Sequence, residues 1–155
     1  MTHEYVIALH GRVDTGMAGT APTAVAWAAD HVLAVGSDDA MRGLSRGDST
    51  FLDLGGCVVT PLPDDLASAD ALVRAGIRQA GADVDLAALL VRAGLLPADA
   101  VIETGSPANL AFWDTAGGQR DGSTWSLLAA VRGGAFIEGD EHRGPFPPAE
   151  AGGAP

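Results

Sequence analysis

Apolar positions fall in short runs over the first sixty residues, then take a helical period, then return to short runs. Tyr5-Val6-Ile7-Ala8-Leu9 is a compact run ended by His10-Gly11, and Arg12-Val13-Asp14 continues it past a kink. A loop from Thr15 to Pro22 follows. Thr23 to Ala28 and Val32 to Val35 then flank a hairpin turn at Ala29-Asp30-His31. Ser37 with Asp38 and Asp39 predicts a short capped helix over about Asp38 to Leu44. Thr50 to Leu54, Gly55-Gly56 and Cys57 to Thr60 read as strand, tight hairpin turn and strand, with Pro61 and Pro63 ending the pattern.

From Leu66 to Gly94 the period is about 3.6. Ser68 is the candidate cap of a helix running to about Gln79, with Leu66, Ala69, Val73, Ile77 and Ala80 on one face. Asp70, Arg74 and Arg78 lie on the other face at i,i+4 spacing. Asp85 caps a second helix, Leu86 to Ala93, stopped by Gly94. This helix is apolar nearly all round, so it must be buried in its own fold or against another chain. After Pro97, strands are predicted at Ala100-Val101-Ile102, Asn109 to Asp114 and Ala135 to Glu138, separated by turns at Gly105-Ser106-Pro107 and Gly133-Gly134. Trp125 to Val131 suits a strand or a helix. From Gly139 the chain is rich in Gly, Pro and acids and reads as a disordered tail.

Composition narrows the function classes. The 155 residues carry 9 basic residues, all Arg, against 20 acidic ones, for a formal net charge of −11. Without Lys there is no Schiff-base, carbamylated or P-loop lysine. The acidic balance argues against nucleic acid and anionic membrane as partners. One cysteine, Cys57, forms no internal disulfide and favours a reducing compartment. No apolar run reaches the ~18 residues of a membrane span, and the N-terminus lacks a basic signal-peptide region. A cytoplasmic protein is expected. The length suits one domain and falls short of a closed (β/α)₈ barrel, which needs at least about 200 residues.

Four segments, in order, resemble the amidohydrolase superfamily, imidazolonepropionase-like members included. They are Ala24 to Trp27 with Val32 to Ser37, Phe51 to Pro61 (FLDLGGCVVTP), Val101 to Asp114 (VIETGSPANLAFWD) and Ala130 to Ile137 (AVRGGAFI). Members of that superfamily flank a metal-binding (β/α)₈ barrel with a small β-sandwich built from both chain ends. The resemblance implies an N-terminal β half over 1–61 and a helical barrel remnant over 62–97. A C-terminal β half over 98–138 and a tail over 139–155 complete the division. The fold class expected is β-rich α+β: a composite β-sandwich formed by both chain ends, a two-helix insert and no TIM barrel.

The departures from the family pattern bear on function. Its first two metal ligands form a His-x-His on the strand after the Pro61 equivalent. Counted on without a gap, those positions hold Ala67 and Ala69, and no His lies between His31 and His142. The carbamylated Lys of binuclear members is excluded by the absence of Lys. A mononuclear site still needs three or four His/Asp ligands on separate strands. The resemblance therefore implies a catalytic domain that is lost or resides on a separate barrel subunit.

Other candidates read more simply as structure. His3, His10 and His31 have no metal-ligand spacing and suit surface or turn positions. Asp38-Asp39 suits helix N-terminal charge and Asp140-Glu141 a solvated tail, while Asp64-Asp65 sits where the family's active-site strand would begin. Ser106 lacks a nucleophile-elbow sequence, Cys57 has no basic neighbour, and Trp27, Trp113 and Trp125 suit a sandwich core. No catalytic residue, metal ligand or cofactor site is assigned. The leading expectation is a non-catalytic binding or assembly module, with Leu86, Leu89 and Leu90 as candidate homodimer contacts. The alternatives are a hydrolase of non-peptide carbon–nitrogen bonds with its metal supplied by another chain, and a small-ligand binding protein.

Overall fold

Runs of apolar residues buried on both sides, rather than alternating in and out, set the architecture. In a computed structural model of the chain, residues 5–14, 22–44, 49–72, 86–114, 126–137 and 146 are described. The elements, in chain order, begin with β1 (Tyr5–Leu9), β2 (Arg12–Val13), β3 (Ala24–Ala28), β4 (His31–Gly36), α1 (Asp38–Arg42), β5 (Thr50–Asp53) and β6 (Val58–Pro61). Helical residues 66–72 (α2), α3 (Leu86–Arg92), β7 (Leu110–Asp114), β8 (Ser126–Arg132) and β9 (Ala135–Phe136) follow.

Two sheets result, with strand orders β4-β3-β1-β5 and β2-β6-β7-β8-β9. Both are mixed: β1 pairs parallel with β5 and β2 parallel with β6, while the other pairings are antiparallel. The first sheet uses only the first third of the chain, whereas the second joins β2 and β6 to three strands from the far end. The expected β-rich α+β fold, with a composite sandwich built from both chain ends, is what forms. No closed barrel occurs among the described residues.

Between the sheets, Val6, Ala8, Val25, Trp27 and Leu52 meet Val13, Val59, Leu110, Phe112, Val131 and Phe136. The intervening positions face outward and are buried too. Ile7, Leu9, Ala24, Ala26 and Phe51 pack with Met41 of α1 on the first sheet. Val58, Ala111 and Trp113 pack with Ala69 of α2, Leu90 of α3 and Leu96 on the second. Strands covered on both faces lose the polar alternation of a half-exposed sheet, which explains the unbroken runs YVIAL, AVAWA and LAFW.

Several expectations change. Gly55-Gly56, read as a hairpin turn, instead carries the chain from one sheet to the other. β5 and β6 do not pair with each other; they accompany β1 and β2 through the same bend. The bend is stitched by Leu54 N to Leu9 O (2.9 Å), Gly56 N to His10 O (2.7 Å) and Arg12 N to Cys57 O (2.9 Å). Positive φ at Gly55 and Gly56 (61° and 90°) makes the turn, and an added β-carbon at Gly11 would meet Leu54 Cδ1 at 2.6 Å. Val101 and Ile102 lie in no strand, although Ile102 is buried in the core. Trp113 belongs to the layer under the helices rather than between the sheets. The segment suited to either strand or helix supplies strand β8, Ser126–Arg132, with Trp125 outside the described residues. Phe146, expected in a disordered tail, is buried among core rings, and the tail residues from 139 other than Phe146 lie outside the described set.

Candidate functional site

Three segments converge where β1 ends, β3 begins and α1 starts. His10 terminates β1 with a φ of 64°, a left-handed backbone that lets the chain turn toward Gly11. Ser37 caps α1, its hydroxyl accepting from Ala40 N at 3.1 Å, and so sets Asp38 at the first helical position. From there the Asp38 carboxylate reaches both neighbours. Its Oδ1 accepts from His10 N (3.1 Å) and from the Thr23 hydroxyl (3.0 Å). Its Oδ2 lies 2.9 Å from His10 Nδ1. The Asp38 backbone N–H donates in turn to Thr23 Oγ at 3.2 Å.

A carboxylate only accepts, so His10 Nδ1 donates to Asp38, and the imidazole is 44% exposed. The Thr23 hydroxyl is taken up by the same carboxylate. The cluster works as a clasp between three chain segments. In the sequence His10 falls in a turn and Asp38 at a helix start, with nothing to join them, and Thr23 carries no signal of its own.

The other candidates separate. His31 begins β4, half-exposed, with Nδ1 3.5 Å from the Asp30 carboxylate. Asp39 pairs with Arg42 one turn on, at 3.2 Å. Asp65, not Ser68, is the residue that caps α2: its Oδ1 accepts from Ser68 N (3.1 Å) and its Oδ2 from the Ser68 hydroxyl (2.7 Å). Those two bonds, backbone first, hold the Asp65 carboxyl below the usual carboxylate range. Asp64 is exposed. The Ser106 hydroxyl donates to Glu103 O at 2.7 Å within its own turn. Cys57 is buried on the predicted core segment. His3, Trp125, Asp140, Glu141 and His142 lie outside the described residues.

The positions that would bear the family's first metal ligands do not suit a metal. Ala67 and Ala69 fall in helix α2 rather than on a barrel strand, Ala67 exposed and Ala69 packed against the second sheet. Among the described residues no three His, Cys, Asp or Glu side chains group as a metal site. No described helix is long and apolar enough to cross a membrane. Of the candidate dimer leucines, Leu90 is fully buried under the chain's own fold and Leu89 half-buried, while the Leu86 side chain lies outside the described set. Compared with family models, curated proteins and solved structures, the chain finds no match.

Proposed function

We propose that this chain is a non-catalytic binding or assembly module of amidohydrolase descent, a composite β-sandwich that keeps the attachment point of a catalytic barrel without the barrel. One observation carries the reading. Pro61, where β6 ends, and Leu110, where β7 begins, are direct register partners on adjacent antiparallel strands. The chain leaves the sheet and re-enters it side by side, so the sandwich closes whatever lies between. Here that segment supplies α2 and α3, which cover the second sheet's outer face through Ala69, Leu90 and Leu96. The replacement of the ligand positions by Ala67 and Ala69 supports a non-catalytic role.

The test is metal analysis of the purified chain, with and without added zinc, iron or manganese, beside assays for amide hydrolysis and deamination. Substoichiometric metal and no turnover are expected. Tight stoichiometric metal with turnover overturns the reading. The assembly role proposed for α3 is tested by sedimentation: a dimer weakened by Leu89→Glu is expected. A monomer at micromolar concentration, with Leu89→Glu unchanged in behaviour, overturns it.

A further inference from the structure

Four aromatic rings meet between the sheets, and one of them comes from outside both ladders. Trp27 on β3, Phe112 on β7 and Phe136 on β9 are fixed by strand pairing, with centroids 5.9–6.2 Å apart. Phe146 closes the group, 5.1 Å from Phe112 and 6.1 Å from Phe136, and is 4% exposed. Its side chain enters beside Phe136, on a two-residue edge strand. In sequence it is framed by Gly144-Pro145 and Pro147-Pro148. Prolines fix φ and favour extended chain, so such a segment loses little conformational freedom when one ring docks.

We propose that Phe112 and Phe136, backed by Trp27, form a socket for a proline-flanked aromatic residue, and that the Phe146 segment of a second copy can take the place of the chain's own. The exchange repeats the same contacts in trans, the usual route to a swapped dimer. It is independent of descent and of any contact through α3. The chain itself carries the matching segment, which is why a second copy is the occupant. Exchange keeps the ring contact, so a second copy competes only against the effective concentration of the tethered segment, on the order of millimolar for a short linker, which concentrated protein approaches.

The experiment is analytical ultracentrifugation of the full chain over rising concentration, with and without excess of a peptide spanning residues 141–150. A dimer that grows with concentration, and that the peptide dissolves, is expected. The same peptide with Ala in place of Phe leaves it intact. Phe146→Ala removes the ring contact from the closed and the exchanged form alike, so any association left in that variant no longer responds to the peptide. A chain monomeric at all concentrations overturns the proposal, as does a dimer that the peptide leaves unchanged. The peptide arm uses the unaltered chain and so does not depend on the variant folding. A dimer lost in Leu89→Glu but indifferent to the peptide is the α3 contact instead, and equally overturns tail exchange.

Discussion

Gly134 lies directly against Ala29, so that a β-carbon at position 134 would collide with the Ala29 carbonyl oxygen. The β8–β9 turn is thereby pressed onto the β3–β4 turn of the other sheet. The same turn accepts the Trp27 indole N–H at Gly134 O (3.1 Å), and Gly134 N donates to Ala108 O at 3.1 Å. Gly134 also holds a φ of 86°. Gly134→Ala is expected to cost about 3 kcal/mol or more in urea unfolding, from backbone strain and overpacking together. Gly133 has φ of 60° but open space around it, so Gly133→Ala is expected to cost only about 1–2 kcal/mol. Equal losses at the two positions would contradict the close approach.

The Asp38 clasp predicts unequal costs for its members. Asp38→Ala removes acceptors from His10 N, Thr23 Oγ and His10 Nδ1 together, and is expected to destabilise by about 1–2 kcal/mol. His10→Ala removes one partially exposed contact. A double-mutant cycle between the two side chains should give a coupling below about 1 kcal/mol, as for a surface ion pair.

Buried polar atoms under the helices set up a reciprocal pair. Trp113 Nε1–H donates to Thr60 Oγ at 3.0 Å, and the Thr60 hydroxyl donates to Pro61 O at 2.9 Å. Thr60→Val strands the indole N–H in a buried layer and is expected to cost about 1–3 kcal/mol. Adding Trp113→Phe removes the stranded donor, so the double variant should lose less than the sum of the single losses. Thermal or urea unfolding of the four proteins measures this.

Asp65 predicts an acid dependence. Its carboxyl is held below its ordinary value by the Ser68 N–H and hydroxyl, so the charged form favours the fold. That contribution is complete above the ordinary carboxylate value and is lost as pH falls through the lowered one. Asp65→Asn should therefore flatten the acid limb of the stability profile and leave neutral-pH stability reduced only modestly. A variant with the same acid limb as the parent chain would rule the cap out as its source.

What sequence revealed here was decided by range. The runs at Tyr5–Leu9, Ala24–Ala28 and Leu110–Asp114 are local signals, and all three are strands. Ser37 before two acids marked α1 for the same reason. Gly55-Gly56 shows where local signals end: two positive-φ glycines make a turn, but whether it returns within one sheet depends on β1 and β2, far upstream. Phe112 and Trp113 point to opposite faces of β7, and both are apolar, so period alone cannot tell which lies under the helices. Asp65 and Ser68 are both good caps, and the chain uses one as the cap and the other as its reciprocal partner. His10 and Asp38 stand 28 positions apart and meet only because β1 and α1 pack together. Phe146 is a lone apolar residue in a Pro-rich stretch, with no periodicity to announce its burial.

Because Pro61 and Leu110 sit side by side, any chain that joins them closes a loop between ends already held at the right distance. The entropy of closing such a loop grows only with the logarithm of its length. A connector about five times longer than residues 62–109 costs about 1.4 kcal/mol more to close. That is a small fraction of the roughly 5–15 kcal/mol by which a domain is stable. The sandwich is thus nearly indifferent to the length of its cargo, and gaining or shedding a whole domain between these two strands is a small thermodynamic step.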